Sequence, residues 1–478
     1  MARPLTGLLT GLLTLALGAC SLAPTYVRPT LGQDAAQYKE AGEWAPAAPA
    51  DEQPRADWWQ AFGDAQLDAL ESRLRTGNPD LRAGVARFDE ARAIAGEARS
   101  RFYPQLNLDA SGVRGRASSN GPNALAAGKT GDDFVTSLDM AWEIDLFGRL
   151  RNTAAAARAR AQGSAADLAA LELSLQAELA TDYFTLRGDD STVKLLEDSV
   201  AQFDTAWQQT RRRYDTGVAA ATDVDQADAL RQSARAQLAA TRLQRSRLEH
   251  AIAVLLGSTP AAFSLEPAPL AAEPPAIRVA LPSVLLERRP DVASAERALA
   301  AANAGIGIAR AAWFPVFSLQ AAAAGFESTA TAGWIGAPSR FWSVGPGGQL
   351  PLLDAGGRSA LNRQARAAYE EALAGYRKVA LTAYQEVEDS LVAVHRLGEE
   401  QAADAAAATS AQSAAFHADE RYAAGVADYV EVTTTHTAAL SARSAALAAQ
   451  AARLNAAVAL VRALGGGWSA GPTGSSSS

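Results

Sequence analysis

RRYDTGVAAATDVDQ at 212–226 and ERYAAGVADYVEVTT at 420–434 are two versions of one phrase, 208 residues apart. In each, an Arg-Tyr pair closes a helical stretch, Gly-Val turns the chain, and a second helical stretch begins. Other echoes keep the same order. Asn78-Pro79-Asp80-Leu81 returns as Arg289-Pro290-Asp291-Val292, and ARSRFYPQLNL (98–108) returns as ARAAWFPVFSL (309–319). Asp145-Leu-Phe-Gly148-Arg149 returns as Asp354-Ala-Gly-Gly357-Arg358, and Leu256-Gly257 as Leu464-Gly465. Ordered matches at nearly constant spacing mark a tandem duplication. It divides the chain into a first repeat at 57–259, a Pro-rich linker at 260–282, a second repeat at 283–466 and a disordered tail at 467–478.

Inside a repeat, long helices alternate with short strands. Leu179, Leu186, Val193, Val200, Trp207 and Tyr214 fall every seven residues. Leu168, Leu175, Asp182, Asp189, Leu196, Phe203 and Thr210 run beside them. Such sustained spacing predicts a coiled-coil helix. No proline interrupts residues 149–214, so one helix can extend roughly 100 Å at ~1.5 Å per residue. Tyr369, Leu373, Tyr376, Ala380, Ala383, Val387, Ser390, Val394 and Leu397 form the corresponding seam of the second repeat. Each Gly-Val corner is then the tip of a long antiparallel helical hairpin, and helices alone would make a rod.

Strands alter that expectation. In 134–146, Phe134, Leu138, Met140, Trp142, Ile144 and Leu146 alternate with a mostly polar set that includes Asp139, Glu143 and Asp145. A similar alternation runs through 102–112, and weaker ones through 313–325 and 341–352. Segments of roughly ten alternating residues with aromatics near their ends suit a membrane β-barrel; an amphipathic sheet of a soluble domain is the other reading. Four strands cannot close a barrel, and open edges are not tolerated in lipid. Two chains give eight strands with a filled interior. Three chains give twelve around a lumen that the acidic faces can line, so a conducting assembly is at least a trimer.

Composition narrows the function. The chain has 478 residues, 48% of them hydrophobic, and a formal charge of −8. That balance lacks the basic stripe of a nucleic-acid binder. After the N-terminal segment no run of 18 apolar residues occurs, so no membrane-spanning helix is expected. Residues 1–19, MARPLTGLLTGLLTLALGA, read as a signal peptide. Leu17-Gly18-Ala19-Cys20 resembles a bacterial lipobox, with Cys20 as the lipid anchor; a plain signal peptide ending near a chance cysteine is the alternative. Cys20 is the only cysteine, so no disulfide forms within the chain. Ser21 after it favours the outer membrane over the inner, and 20–56 is a Pro/Ala-rich extended segment.

Enzymatic signatures are lacking. NALAAGKT (123–130) nearly spells a phosphate-binding loop, but Asn123 stands where glycine belongs and no apolar strand precedes it. It reads as a loop between strands. Gly305-Ile-Gly307 opens no βαβ unit. His250, His395, His417 and His436 have no metal-ligand spacing. Asp182 and Asp189 read as interhelical hydrogen-bonding or tunnel-lining groups. No catalytic residue, cofactor or metal is assigned.

The chain resembles the outer-membrane efflux proteins of the TolC and OprM/NodT type over about residues 20–466. The resemblance rests on the opening Cys20-Ser-Leu-Ala-Pro-Thr-Tyr26-Val-Arg-Pro29, on WWQAFGDAQLDALESRLRTGNPDL (58–81) and on the close ALGGGW (463–468). It implies an α+β membrane protein, a trimer whose twelve-stranded outer-membrane barrel takes four strands per chain and continues as an α-helical coiled-coil tunnel in the periplasm. It also implies a lipid-anchored outer-membrane location and partners: a periplasmic adaptor (membrane fusion) protein and an inner-membrane RND-type transporter. Arg213 to Gly217 and Arg421 to Gly425 match the family's R-x-x-x-G tips, so the adaptor-contact set is Arg213, Gly217, Val218, Arg421, Gly425 and Val426. Gly148, Gly356 and Gly357 fall at the barrel–tunnel junction, where unusual backbone angles or ordinary turns both suit glycine. In lipoprotein relatives the helix after the second tip often carries Leu and Asp where this chain has Val430 and Thr434. The gate set is therefore Val430 and Thr434 with Asp223 and Asp225. The function implied is a passive, gated exit duct for drugs or other small molecules. A type I secretion duct and a non-conducting periplasmic lipoprotein scaffold are the alternatives.

Overall fold

The structure, a computed structural model, describes residues 21–30, 39, 57–120, 128–275 and 289–466. The signal segment, Cys20, most of NALAAGKT, the end of the linker and the tail lie outside the described residues. After a short 3₁₀ turn at Trp58–Phe62, the order is α1 (Ala65–Gly77), α2 (Pro79–Ser100), β1 (Gln105–Arg116), β2 (Thr130–Ile144), α3 (Arg149–Asp215) and α4 (Ala221–Leu255). The second half runs α5 (Pro290–Ala311), β3 (Val316–Ser328), β4 (Arg340–Gln349), α6 (Gly357–Ala423) and α7 (Tyr429–Ala463). The duplication is visible in the lengths. The helices α2 and α5 have 22 residues, α3 and α6 have 67, and α4 and α7 have 35.

Two compact units share these elements. The first takes residues 1–30, 87–165 and 294–376 and contains the four strands, all antiparallel in the order β1-β2-β3-β4. β1 and β4 are therefore its edges. Irregularities interrupt the β2–β3 register at Leu138/Asp139 and the β3–β4 register between Ala322 and Gly325. β1 and β3 start later than the apolar alternation suggests, at Gln105 and Val316 rather than 102 and 313, while β2 and β4 start earlier, at Thr130 and Arg340 rather than 134 and 341. The amides of Phe102 and Tyr103 close the last turn of α2 on Arg99 and Ser100, and Trp313 and Phe314 do the same on Arg310 and Ala311. Pro104 and Pro315 then have no N–H to offer, and pairing begins one residue beyond each.

The second unit takes residues 31–86, 166–293 and 377–478. Its main core joins Trp58, Trp59 and Phe62 to Leu67, Leu70 and Leu74 of α1, and these to Leu179, Phe184, Ile252, Leu454 and Val458. Asp64 caps α1 by accepting from the amides of Gln66 and Leu67, at 2.9 and 3.1 Å, and also accepts from the Tyr183 hydroxyl at 2.7 Å. The described part of the linker is packed: Phe263, Leu265 and Leu270 are buried. Asp190 holds it through the Ala268 amide at 3.1 Å, while Arg187 donates to the Glu266 carbonyl at 2.7 Å.

The repeat extends to side-chain roles. Asn78 donates to the carbonyl of Leu255 at 2.8 Å, and Arg289, its counterpart, donates to that of Ala463 at 3.2 Å. Each ties the residue before a helix-opening proline to the end of its own hairpin. α7 is long and apolar enough to cross a membrane by length and composition. Alanine supplies much of that character, and Ala457, Val458, Leu454 and Leu460 are buried, so the helix is part of a packed core.

Candidate functional site

The two corners have the same backbone. At the first, the Val218 amide donates to the Arg213 carbonyl and the Gly217 amide to the Tyr214 carbonyl, both at 2.8 Å. At the second, Val426 donates to Arg421 and Gly425 to Tyr422, both at 3.0 Å. These paired bonds form a Schellman stop, which needs a left-handed residue just past the helix. Gly217 (φ 77°) and Gly425 (φ 74°) supply it. The R-x-x-x-G spacing is thus a helix stop before it is anything else. Val218 and Val426 follow with 66% and 65% of their surface exposed, leaving two apolar side chains free for a partner.

The side chains at the corners differ. Arg213 is half-buried, and its guanidinium lies over the Tyr422 ring at 4.7 Å. Arg421 is exposed and pairs with Glu431 at 3.1 Å. Tyr422 meets Tyr429 edge to face at 5.1 Å, and Ala227, Tyr429 and Val432 form a small core with Trp207 against it. Burial pushes the phenols of Tyr422 and Tyr429 up from their ordinary pKa. The Tyr422 hydroxyl has no hydrogen-bond partner among the described residues. Beside these rings lies a cavity of about 560 Å³ that also touches Phe203 and His436. His436 is bonded to both carboxylate oxygens of Asp419, at 2.9 and 3.0 Å, and meets the edge of Phe203.

The expected gate residues lie just past the corners. Val430 is half exposed, Thr434 is exposed, and their four-residue spacing puts both on one face of α7. Asp225 is exposed and Asp223 partly buried in the first turns of α4. Asp428 accepts from the Glu431 amide at 3.0 Å and caps α7, whereas Ala220, its counterpart before α4, provides no side-chain cap. Higher on α3, burial raises the carboxyls of Asp182 and Asp189 to about 6. Neither makes the interhelical hydrogen bond expected of it among the described residues.

At the strand-to-helix turns, Gly148 (φ 76°) precedes α3 and Gly356 (φ 89°) precedes α6. Gly357 does not share this geometry: it is the first residue of α6, and the second left-handed position falls on Ala355 (φ 50°). Local hydrogen bonds hold both turns. Asp145 accepts from the amides of Leu150 and Arg151 at 3.1 and 2.8 Å. Asp354 accepts from the amide and Nε of Arg358 at 2.9 and 2.8 Å, which holds its carboxyl below the usual range. Cys20 lies outside the described residues. Among those described, no group of three His, Cys, Asp or Glu side chains is arranged to hold a metal.

Sequence reasoning found the corners and missed what fills them. Tyr422 carried a signal, because it repeats Tyr214. Tyr429 and His436 carried none, since residues 221 and 228 of the first repeat are Ala and Asp.

Comparison with known proteins gives one answer. The family described as outer membrane efflux protein matches residues 70–258 and 281–466. The toluene efflux pump outer membrane protein TtgC of Pseudomonas putida is 32% identical over 454 residues, covering 95% of this chain and 93% of that protein. Outer membrane protein OprJ of Pseudomonas aeruginosa is 33% identical over 483 residues, covering 98% of each. Among solved structures, the outer-membrane channel OprN superposes with a TM-score of 0.87 at 31% identity, over 94% of this chain and all of that one. The open state of the Neisseria gonorrhoeae MtrE outer membrane channel gives 0.78 at 25% identity, over 94% of this chain and 98% of that one.

Proposed function

This chain belongs to the outer membrane efflux protein family, and on that premise we propose that it is the passive exit duct of a tripartite efflux pump. Three copies close a twelve-stranded barrel in the outer membrane and continue it as a helical tunnel. The observation that carries this reading is the four-stranded antiparallel sheet, whose edge strands β1 and β4 each leave one side unpaired among the described residues. Leu106, Leu108 and Val113 of β1 and Trp342 and Val344 of β4 are exposed. An apolar sheet with open edges is tolerated in lipid only when other copies complete it.

The remaining roles follow. Cys20 carries the lipid anchor. Val218 and Val426 on their Schellman stops meet a periplasmic adaptor, which links the duct to an inner-membrane RND-type transporter that supplies the energy. Val430 and Thr434, with Asp223 and Asp225, form the periplasmic gate. Turns built on Gly148 and on Ala355-Gly356 pass the chain from barrel to tunnel. The duct moves small molecules outward and performs no chemistry on them.

Planar-bilayer recording on the purified full chain tests this. The wild type conducts rarely, Tyr422→Ala raises the open fraction, and mass measurement in detergent gives a trimer. A protein silent in both forms, or monomeric in detergent, overturns the proposal.

A further inference from the structure

Several arginines of the first unit sit beside a carboxylate. Arg149 pairs with Glu143, and Arg358 is held by Asp354 at 2.8 Å. Arg310, Arg363 and Arg366 have no ion pair among the described residues, although the chain has 52 acidic against 44 basic side chains. All three converge on one cleft of about 440 Å³.

The cleft is built for an anion with an apolar tail. Ser359, Asn362, Arg363 and Arg366 line it from the first turns of α6, at spacings that place them on one helix face. The N-terminal end of that helix itself favours negative charge. Arg363 is oriented by its bond to the Ser359 hydroxyl at 3.0 Å, and Arg310, in the last turn of α5, by its bond to the Leu22 carbonyl at 3.1 Å. Trp313 and Phe314 form the apolar wall. Arg358 over the indole at 4.9 Å and Phe147 stacked on Phe314 at 4.5 Å fix their positions.

Location identifies the ligand. Trp313 and Phe314 stand just before β3 begins at Val316, where a barrel strand leaves lipid and aromatic side chains sit at headgroup level. Leu22 brings the N-terminal segment to the same cleft. That segment is fastened by Ser21 to Asn152 at 3.1 Å and by the Pro24 carbonyl to Asn303 at 2.8 Å. The residue before Ser21 is Cys20, the anchor proposed above.

We propose that Arg310, Arg363 and Arg366 bind the phosphate of an anionic phospholipid, with its glycerol and first methylenes against Trp313, Phe314 and Leu22. Guanidinium forks suit a phosphodiester, and basic clefts beside spanning segments hold such headgroups. This rests on the reading that β1–β4 span the outer membrane. The site would fix the duct's depth in the leaflet beside its covalent anchor.

Native mass spectrometry of the full chain, offered phosphatidylglycerol or phosphatidylcholine, tests it, with bilayer conductance recorded on the same preparations. The wild type retains phosphatidylglycerol on the order of tenfold or more over phosphatidylcholine. The triple variant Arg310→Gln/Arg363→Gln/Arg366→Gln loses that preference and keeps its conductance. Asn362→Glu, a single change that brings a carboxylate to the arginines, also loses it and guards against misfolding of the triple variant. Equal retention of both lipids by the wild type, or unchanged preference in both variants, overturns the proposal. So does complete displacement by millimolar inorganic phosphate, which would make the cleft a free-anion site. Silence of both the wild type and Tyr422→Ala, with the lipid preference intact, would overturn the duct and leave the lipid site standing.

Discussion

Glu71 offers a sharp test of how this fold is held together. It lies in α1 between Leu67, Leu70 and Leu74, is fully buried, and neither carboxylate oxygen has a hydrogen-bond partner among the described residues. Burial raises its pKa from 4.5 to about 9. Arg75, one turn on, opposes the rise but is already engaged by Glu172 at 3.0 Å and Asp57 at 2.8 Å. The folded chain therefore keeps the proton up to about pH 9, whereas the unfolded chain releases it near 4.5. Stability from this group is fully present below pH 4.5 and is lost as pH rises toward 9. Each pH unit in that window removes about 1.4 kcal/mol, so roughly 3 kcal/mol is lost by neutral pH. Glu71→Gln keeps the shape and the buried polar atoms but cannot ionise. Thermal melts of both proteins from pH 5 to 9 make other titrations cancel. The gap between the melting curves is expected to widen with pH in favour of Gln. Parallel curves across the whole range would refute the argument, showing that Glu71 finds water or a cation in the folded protein.

Three further outcomes follow from the corners. Gly217→Val and Gly425→Val each place a β-branched residue at positive φ, costing about 1–2 kcal/mol; hydrogen exchange at the following valine amide should quicken, while the melting of α1 and its core stays unchanged. Tyr422→Phe keeps the ring that meets Arg213 and Tyr429 and should alter gating little, whereas Tyr422→Ala removes both contacts and raises open probability in bilayers. Equal effects of the two would mean that the hydroxyl matters. Thr434→Asp should shift the reversal potential in a salt gradient toward cation selectivity, and neutralising Asp223, Asp225, Asp428 and Glu431 together should shift it the other way.

How much of this was legible in the sequence depends on whether a feature is written along the chain or across it. The helical hairpins were legible because backbone rules act locally: Gly after R-x-x-x, Pro opening α2 and α5, and a seam every seven residues each act within a few turns. The duplication then doubled every such signal. Strand starts were misplaced because Phe102 and Trp313 continue the apolar alternation while their amides still belong to the preceding helix. The left-handed pair at 355–356 was assigned one residue late, because glycine is the default for positive φ and Ala355 takes it instead. The Tyr422–Tyr429 contact, the Asp419–His436 pair and the arginine cleft join residues whose meeting depends on how helices pack, and nothing at either position announces its partner.

The corners show how one backbone device can support two mechanical roles. Both hairpins turn on the same stop, yet the helix after the first starts at Ala220 without a side-chain cap, while the second starts at Asp428 with one. An N-terminal cap contributes about 1 kcal/mol, so the start of α4 is the softer of the two. The α6–α7 tip is held more firmly, by its cap, by Arg421 on Glu431 and by Tyr422 under Arg213. Elements that move are drawn from the less stable end of a structure. If gating were local fraying, the first corner would open. Of the residues assigned to the gate, Asp223 and Asp225 lie on that softer start, but Val430 and Thr434 lie on the firmer hairpin. Opening by that hairpin must then be a rigid swing that parts Arg213 from Tyr422 and uncovers the buried Tyr429, with the turn itself intact. On the gating proposed, the barrier lies in the contacts between hairpins, so Tyr422→Ala, which removes the Arg213 and Tyr429 contacts, is expected to act on gating more strongly than a change at either glycine.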